Sequence, residues 1–172
     1  MPEIFFQMNR GILATNRELA SLKERISSHP FGRFYDALSS RCSLVLDSAP
    51  ITEMGWQTAW ASGRKHAATI AARGVQGRIF DLVIADAIDR HAAYISRAVE
   101  ELRNLIGWSR WVDPGETELK VDLCTAETAL AAVVGLDWLW DELDEAFRDK
   151  AVSRLRERVI EPYVASVSDG SA

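Results

Sequence analysis

Cysteine and histidine are scarce in this chain, with two cysteines and three histidines among 172 residues. Cys42 and Cys124 are far apart and form neither a CxxC nor a Cys/His ligand pattern, which points to two buried or half-buried thiols rather than a bridge or a metal site. Cationic excess is also missing. The formal net charge is −5, and acidic and basic residues are interleaved. There is no basic stripe to displace counterions from a phosphate backbone, and nucleic acid is not an expected partner. The longest apolar run, Ala126 to Leu136, is interrupted by Glu127 and Thr128 and falls well short of the roughly 20 residues a membrane span requires, so no membrane association is expected. Met1 to Met8 holds an apolar Ile4-Phe5-Phe6 but no basic leader or small-residue cleavage site, so no export signal is visible. Strand-length alternation of β-branched residues bounded by turn signals is lacking throughout, which argues against a sheet.

What is present is the composition of a folding helical chain, 48% apolar and 26% charged. Thr15-Asn16-Arg17-Glu18 is a capping-box sequence, and Leu19, Leu22 and Ile26 follow at helical spacing to about Ser28. Pro30 suits the start of a second helix carrying Phe34, Ala37, Leu38, Leu44 and Val45. Asp47 to Gly55 reads as a loop, Trp56 to Arg73 as a helix, and Gly74 and Gly77 as the next break. From Arg78, the patterns Ile79-Leu82-Val83-Ala87 and Ile95-Ala98-Val99-Leu102-Ile106, parted by Asp89-Arg90-His91, predict a helical hairpin. Gly107 to Val121, with Asp113-Pro114-Gly115, reads as a long irregular loop and hence a candidate functional surface. Asp122 or Thr125 is placed to cap an apolar helix from Leu123 to Trp140. Asp144 caps the next, which Pro162 should end or kink, and Ser166 to Ala172 reads as a frayed tail. The expectation is all-α, about seven helices in antiparallel pairs, with no fixed-period sequence repeat.

Candidate chemistry is sparse. His29, His66 and His91 are scattered, and Tyr35, Tyr94 and Tyr163 sit at helical spacing where packing is the plain reading. Arg64-Lys65-His66 is either a small basic patch or a solvated helix start. Glu127 either faces a cleft or pairs with an arginine, and Asp137 and Asp141, at i and i+4, are a ligand pair or caps and partners for the Arg148 to Arg158 helix. Trp108 and Trp111 are the best binding candidates, because flat indole faces in a loop stack on sugar rings; the alternative is that they plug the end of a hairpin. No ligand set for a metal, no cofactor motif and no catalytic constellation is present.

Trp108-Ser109-Arg110-Trp111, then Asp122-Leu123-Cys124-Thr125-Ala126-Glu127, then Gly135-Leu136-Asp137-Trp138-Leu139-Trp140-Asp141-Glu142-Leu143, resemble the N-terminal toroid region of heparinase II/III-like polysaccharide lyases. That family shows a tryptophan-containing turn, D-L-x-x-A-E, and an apolar helix ending G-Y-D-W-L-Y-D-x-L. Leu136 and Trp140 replace the tyrosines of that ending. Arg148 to Pro162 and Leu13 to Ile26 also resemble family helices. The resemblance implies that residues 1–172 are part of an incomplete (α/α) toroid belonging to a larger lyase, one that cleaves a uronate-containing acidic polysaccharide such as heparan sulfate or alginate by β-elimination. It also implies an often periplasmic or secreted parent. Elimination requires a donor that neutralises the uronate carboxylate, a Tyr or His base, and an acid for the leaving oxygen. The family's Asn-Trp-rich motif comes after the region matched, so this chain alone is expected to be inactive.

The partners implied are an acidic polysaccharide or oligosaccharide, the remainder of the lyase chain, and other copies through an exposed apolar toroid edge. A different class of reading is a stand-alone helical scaffold that binds a protein or peptide in a groove. Mild overall acidity opposes purely electrostatic capture of a polyanionic sugar, although a local cluster of arginines in a cleft would still achieve it.

Overall fold

The computed structural model describes residues 15–27, 30–115 and 120–168. The Met1 to Met8 segment, Leu13, His29 and the tail beyond Ser168 lie outside them. Among the described residues every regular element is helical: α1 (Asn16–Arg25), α2 (Phe31–Asp47), α3 (Glu53–Ala61), α4 (Ala67–Asp89), α5 (Ala92–Gly107), α6 (Leu123–Leu139), α7 (Glu145–Leu155) and α8 (Glu161–Ser168). A 3₁₀ turn (Trp140–Glu142) follows α6, and a π-helical stretch (Arg156–Ile160) joins α7 to α8.

The helix starts obey local chemistry. Thr15 and Glu18 form the reciprocal capping box, with the Thr15 amide and hydroxyl both donating to Glu18 Oε2 at 2.8 Å; these bonds hold the Glu18 carboxyl below its usual pKa. Asp122 and Thr125 form another on α6, and Asp144 accepts from the Phe147 amide at 2.8 Å to cap α7.

Three boundaries differ from the sequence expectation. The α3 helix starts at Glu53, inside the expected Asp47 to Gly55 loop, because the Thr52 hydroxyl caps it by accepting from the Gly55 amide. The break falls at Ser62–His66, where Gly63 and His66 have positive φ of 91° and 55°, while α4 runs unbroken through Gly74 and Gly77. Gly74 instead allows close approach: a Cβ there would lie 2.7 Å from Cδ1 of Ile51, in the loop between α2 and α3. Pro162 does not end its helix either. The π stretch one turn earlier, in which the Glu161 amide donates to the Arg156 carbonyl, re-registers the backbone so that the chain continues helically through the proline. Ser166 to Ser168 are consequently the last turn of α8, with Ser166 buried.

The α4 helix is the hub, packing against α1, α2, α3, α5 and α6. Arg90, in the left-handed conformation, and His91 turn α4 back into α5 as the anticipated hairpin. The α6 helix lies on both, and Gly135 brings it close: a Cβ there would sit 2.9 Å from Leu102 Cδ1 of α5. Leu123–Glu142 is long and apolar enough to cross a membrane by length and composition, with mean hydropathy 1.3, but 56% of it is buried inside the fold. Its apolarity is spent on the interior, against α4 and α5. The core is aliphatic along the helices (Val75, Ile79, Leu82, Leu102, Leu105, Leu139) and aromatic at one end (Trp56, Trp108, Trp111).

A buried ionic latch holds the α2–α3 loop to this hub. Glu101 is fully buried; its Oε1 accepts from Arg78 Nη1 at 2.7 Å and Arg97 Nε at 3.0 Å, and its Oε2 from the Ile51 amide at 3.2 Å. The two guanidinium groups donate onward to the Ala49 and Ser48 carbonyls, each at 2.7 Å. Every strong donor and acceptor here is satisfied, which is the condition under which a buried charge is tolerated.

Candidate functional site

Two of the three segments that carry the family resemblance, Trp108 to Trp111 and Asp122 to Glu127, come together at the N-terminal end of α6, while Gly135 to Leu143 forms its far end and the 3₁₀ turn beyond it. Asp122 caps α6 by accepting from the Thr125 amide at 2.9 Å, and its other carboxylate oxygen accepts from the Asp113 amide at 2.7 Å. The Thr125 hydroxyl donates to the Trp111 carbonyl at 2.9 Å. One capping box therefore fixes both a helix start and the turn at residues 108–113. On its other side, the Ser109 amide and hydroxyl donate to the Glu53 carboxylate at the start of α3.

Trp108 and Trp111 face inward. Each is only 2% exposed, and Trp108 makes an edge-to-face contact with Trp56 at a centroid distance of 6.0 Å. Stacking on a sugar needs an open ring face, and neither indole has one here. Both rings are part of the buried core. The turn still borders concave surface, with Ser109, Arg110 and Val112 lining one groove beside Trp111.

Three concavities border the turn. A cavity of about 530 Å³ is lined by His66, Thr69, Arg73, Asp113 and Asp122, with Leu123 at its edge. Its carboxylates are engaged: Asp113 accepts from the Thr69 hydroxyl and the Gly115 amide, and Arg73 is tied to Glu127 at 2.7 Å. A groove of about 410 Å³ beside Trp108 includes Glu53, Gln57, Arg103 and Asn104; Arg103 is held by Asp144 at 2.6 Å. That pair, with the Phe147 amide, keeps the Asp144 carboxyl below its usual pKa.

The third concavity, also about 410 Å³, lies between the turn and the α7–α8 junction. Its walls carry Arg110, Lys120, Arg154 and Arg158, with Glu157 as the single carboxylate among the described lining residues. Arg110 spends its donors on the Val112 and Asp113 backbone carbonyls, at 3.0 and 3.4 Å, so its charge is not neutralised there. Arg154 approaches Glu157 only to 3.7 Å. Burial and the neighbouring Arg154 charge hold Arg158 below the usual guanidinium value. A local excess of positive charge thus sits within an acidic chain.

The remaining candidates are dispersed. Glu127 pairs with Arg73, as one of its two sequence readings had it. Tyr94 is buried and stacks on His91 at 4.6 Å, Tyr35 is half-buried, and Tyr163 is 57% exposed on α8. Arg64, Lys65 and His66 are solvent-exposed ahead of α4. Asp137 lies on α6 and Asp141 in the 3₁₀ turn, and Arg148 lies over Trp140 at 5.0 Å. Among the described residues no cluster of His, Cys, Asp or Glu is placed to hold a metal ion. Sequence reasoning missed the arginine groove and the Glu101 latch. The 154/158 spacing carried a signal for the first, being one helical turn, but the third arginine comes from a distant loop.

No protein-family model matches the chain, and no curated protein matches it.

Proposed function

We propose that the chain is the N-terminal helical toroid segment of a polysaccharide lyase that cleaves a uronate-containing acidic polysaccharide by β-elimination, supplying toroid wall and substrate contacts rather than the reacting groups. The observation that carries this reading is the convergence just described. Two of the segments resembling the heparinase II/III-like lyases, Trp108 to Trp111 and Asp122 to Glu127, are joined by the α6 cap, which holds the tryptophan turn, and the third, Gly135 to Leu143, continues the same helix. The α8 surface is consistent with a wall that continues. Ile160, Tyr163, Val164 and Val167, at spacings that share one helical face, are each more than half exposed, as the edge for a further helix would be.

The chemistry of elimination also fits an inactive segment. Among the described residues, the exposed Tyr163 and the buried, stacked Tyr94 have no partner set that would make either a base for a carbon acid flanked by a neutralised carboxylate. The test is an eliminase assay on the purified 172-residue chain with alginate, heparan sulfate and related polyuronates. No unsaturated uronate is expected, and robust, metal-independent release of it by this chain would contradict the assignment.

A further inference from the structure

We propose that the groove formed by Arg110, Arg154 and Arg158 is a binding subsite for an oxyanion carried on a sugar ring, a uronate carboxylate or a sulfate ester. This deepens the lyase reading, and rests on it for the sugar; the anion requirement stands on the groove alone.

Three observations carry the anion. The cationic groups converge from separate elements, Arg110 from the tryptophan turn and Arg154 and Arg158 from α7 and the π-helical stretch, so the charge is assembled by the fold and is not a stripe on one helix. Their charges are under-compensated among the described residues: Arg110 donates to neutral carbonyls, Arg154 has one long contact to Glu157, and Arg158, which feels the Glu157 and Glu53 carboxylates at longer range, is still held below the usual guanidinium value by burial and Arg154. Arg154 and Arg158 also repel one another across a partly desolvated wall, and a bound anion would relieve that repulsion. The π-helical stretch is instrumental. By adding a residue to the turn at Arg156–Ile160, it sets Arg158 at the join of α7 and α8, where Pro162 supplies an apolar side to the groove together with Trp111. Guanidinium groups beside apolar wall suit a charged pyranose, which presents planar or tetrahedral oxyanion oxygens on a ring with apolar faces.

Calorimetric titration of the chain with unsulfated oligouronate, with heparin-derived oligosaccharide, with a neutral β-linked glucan of equal length, and with inorganic sulfate tests the subsite. Saturable binding is expected for at least one acidic oligosaccharide, weakening as salt is added, with none for the neutral glucan. Arg154→Gln/Arg158→Gln should weaken that binding roughly tenfold or more, while a distant pair of equal charge loss, Arg33→Gln/Arg64→Gln, should change it about twofold or less. Glu157→Gln removes the carboxylate that lines the groove and should tighten binding, roughly threefold, an effect that a misfolded protein would not produce. Absence of binding, equal binding of the neutral glucan, binding of inorganic sulfate as tight as that of the saccharide, or binding indifferent to all three groove substitutions would each overturn the subsite. Binding is read without turnover. A longer chain that binds here but never eliminates would sink the lyase reading alone, and one that eliminates without using this groove would sink the subsite alone.

Discussion

Glu101 is the residue on which most depends. Its carboxylate has no access to solvent and two guanidinium groups converge on it, so removing its charge leaves Arg78 partly buried without its counter-ion and Arg97 with only the half-exposed Glu100 at 3.6 Å. Glu101→Gln is expected to lower unfolding free energy by about 3–5 kcal/mol in urea titration, and a loss below about 1 kcal/mol would show that the loop is held by other contacts. The two thiols predict an alkaline limit. Burial raises Cys42 from 9.0 to about 11 and Cys124 from 9.0 to about 12. Both groups bind their proton more tightly in the folded state, so their stabilising effect is whole below pH 9 and is lost as pH rises through 11 and 12. Thermal melts should decline over that window, less so in Cys42→Ala/Cys124→Ala, and neither native thiol should alkylate readily at pH 8.

At the scale of the element, glycine shows where sequence reading succeeds and fails. Gly77 faces open space on α4, and Gly77→Ala is expected to stabilise by about 0.5–1 kcal/mol. A Cβ on Gly135 would meet three atoms of Leu102 within 3.4 Å, and Gly135→Ala should destabilise by about 1–3 kcal/mol; paired chemical denaturation curves with shifts of the same sign would refute the packing argument. Both are glycines inside helices, and nothing local tells them apart. The caps at Thr15, Asp122 and Asp144 were legible because a cap is satisfied within three residues of itself. Gly74 was not, because its reason is Ile51, a residue from another loop. At Pro162 the sequence shows that the α-register is interrupted but not how: the π stretch that carries the chain on into α8 has no sequence signature of its own. The turn at residues 108–113 was recognised as irregular from Asp113-Pro114-Gly115, yet the burial of its two indoles depends on Trp56 and on the α4–α5 hairpin, which periodicity cannot dock. The arginine groove was out of reach for the same reason, since Arg110 and Arg158 meet only in three dimensions.

For the whole molecule, the all-helical class follows from the absence of strand patterning, and the toroid remains our proposal. If α8 is an edge at which the helical wall continues, the isolated chain should cover that edge with another copy of itself. Sedimentation velocity is expected to show concentration-dependent association, reduced by Val164→Glu. A strictly monomeric chain would instead favour the stand-alone scaffold. The central claim is the lyase parentage, and the measurement that tests it most directly follows the reading frame past Ala172 and assays the longer product on acidic polysaccharides. The account predicts a frame that continues into an Asn-Trp-containing helix and a β-rich region, and a protein that releases unsaturated uronate. A frame that stops at Ala172, or a longer protein that releases none from any polyuronate, would contradict it.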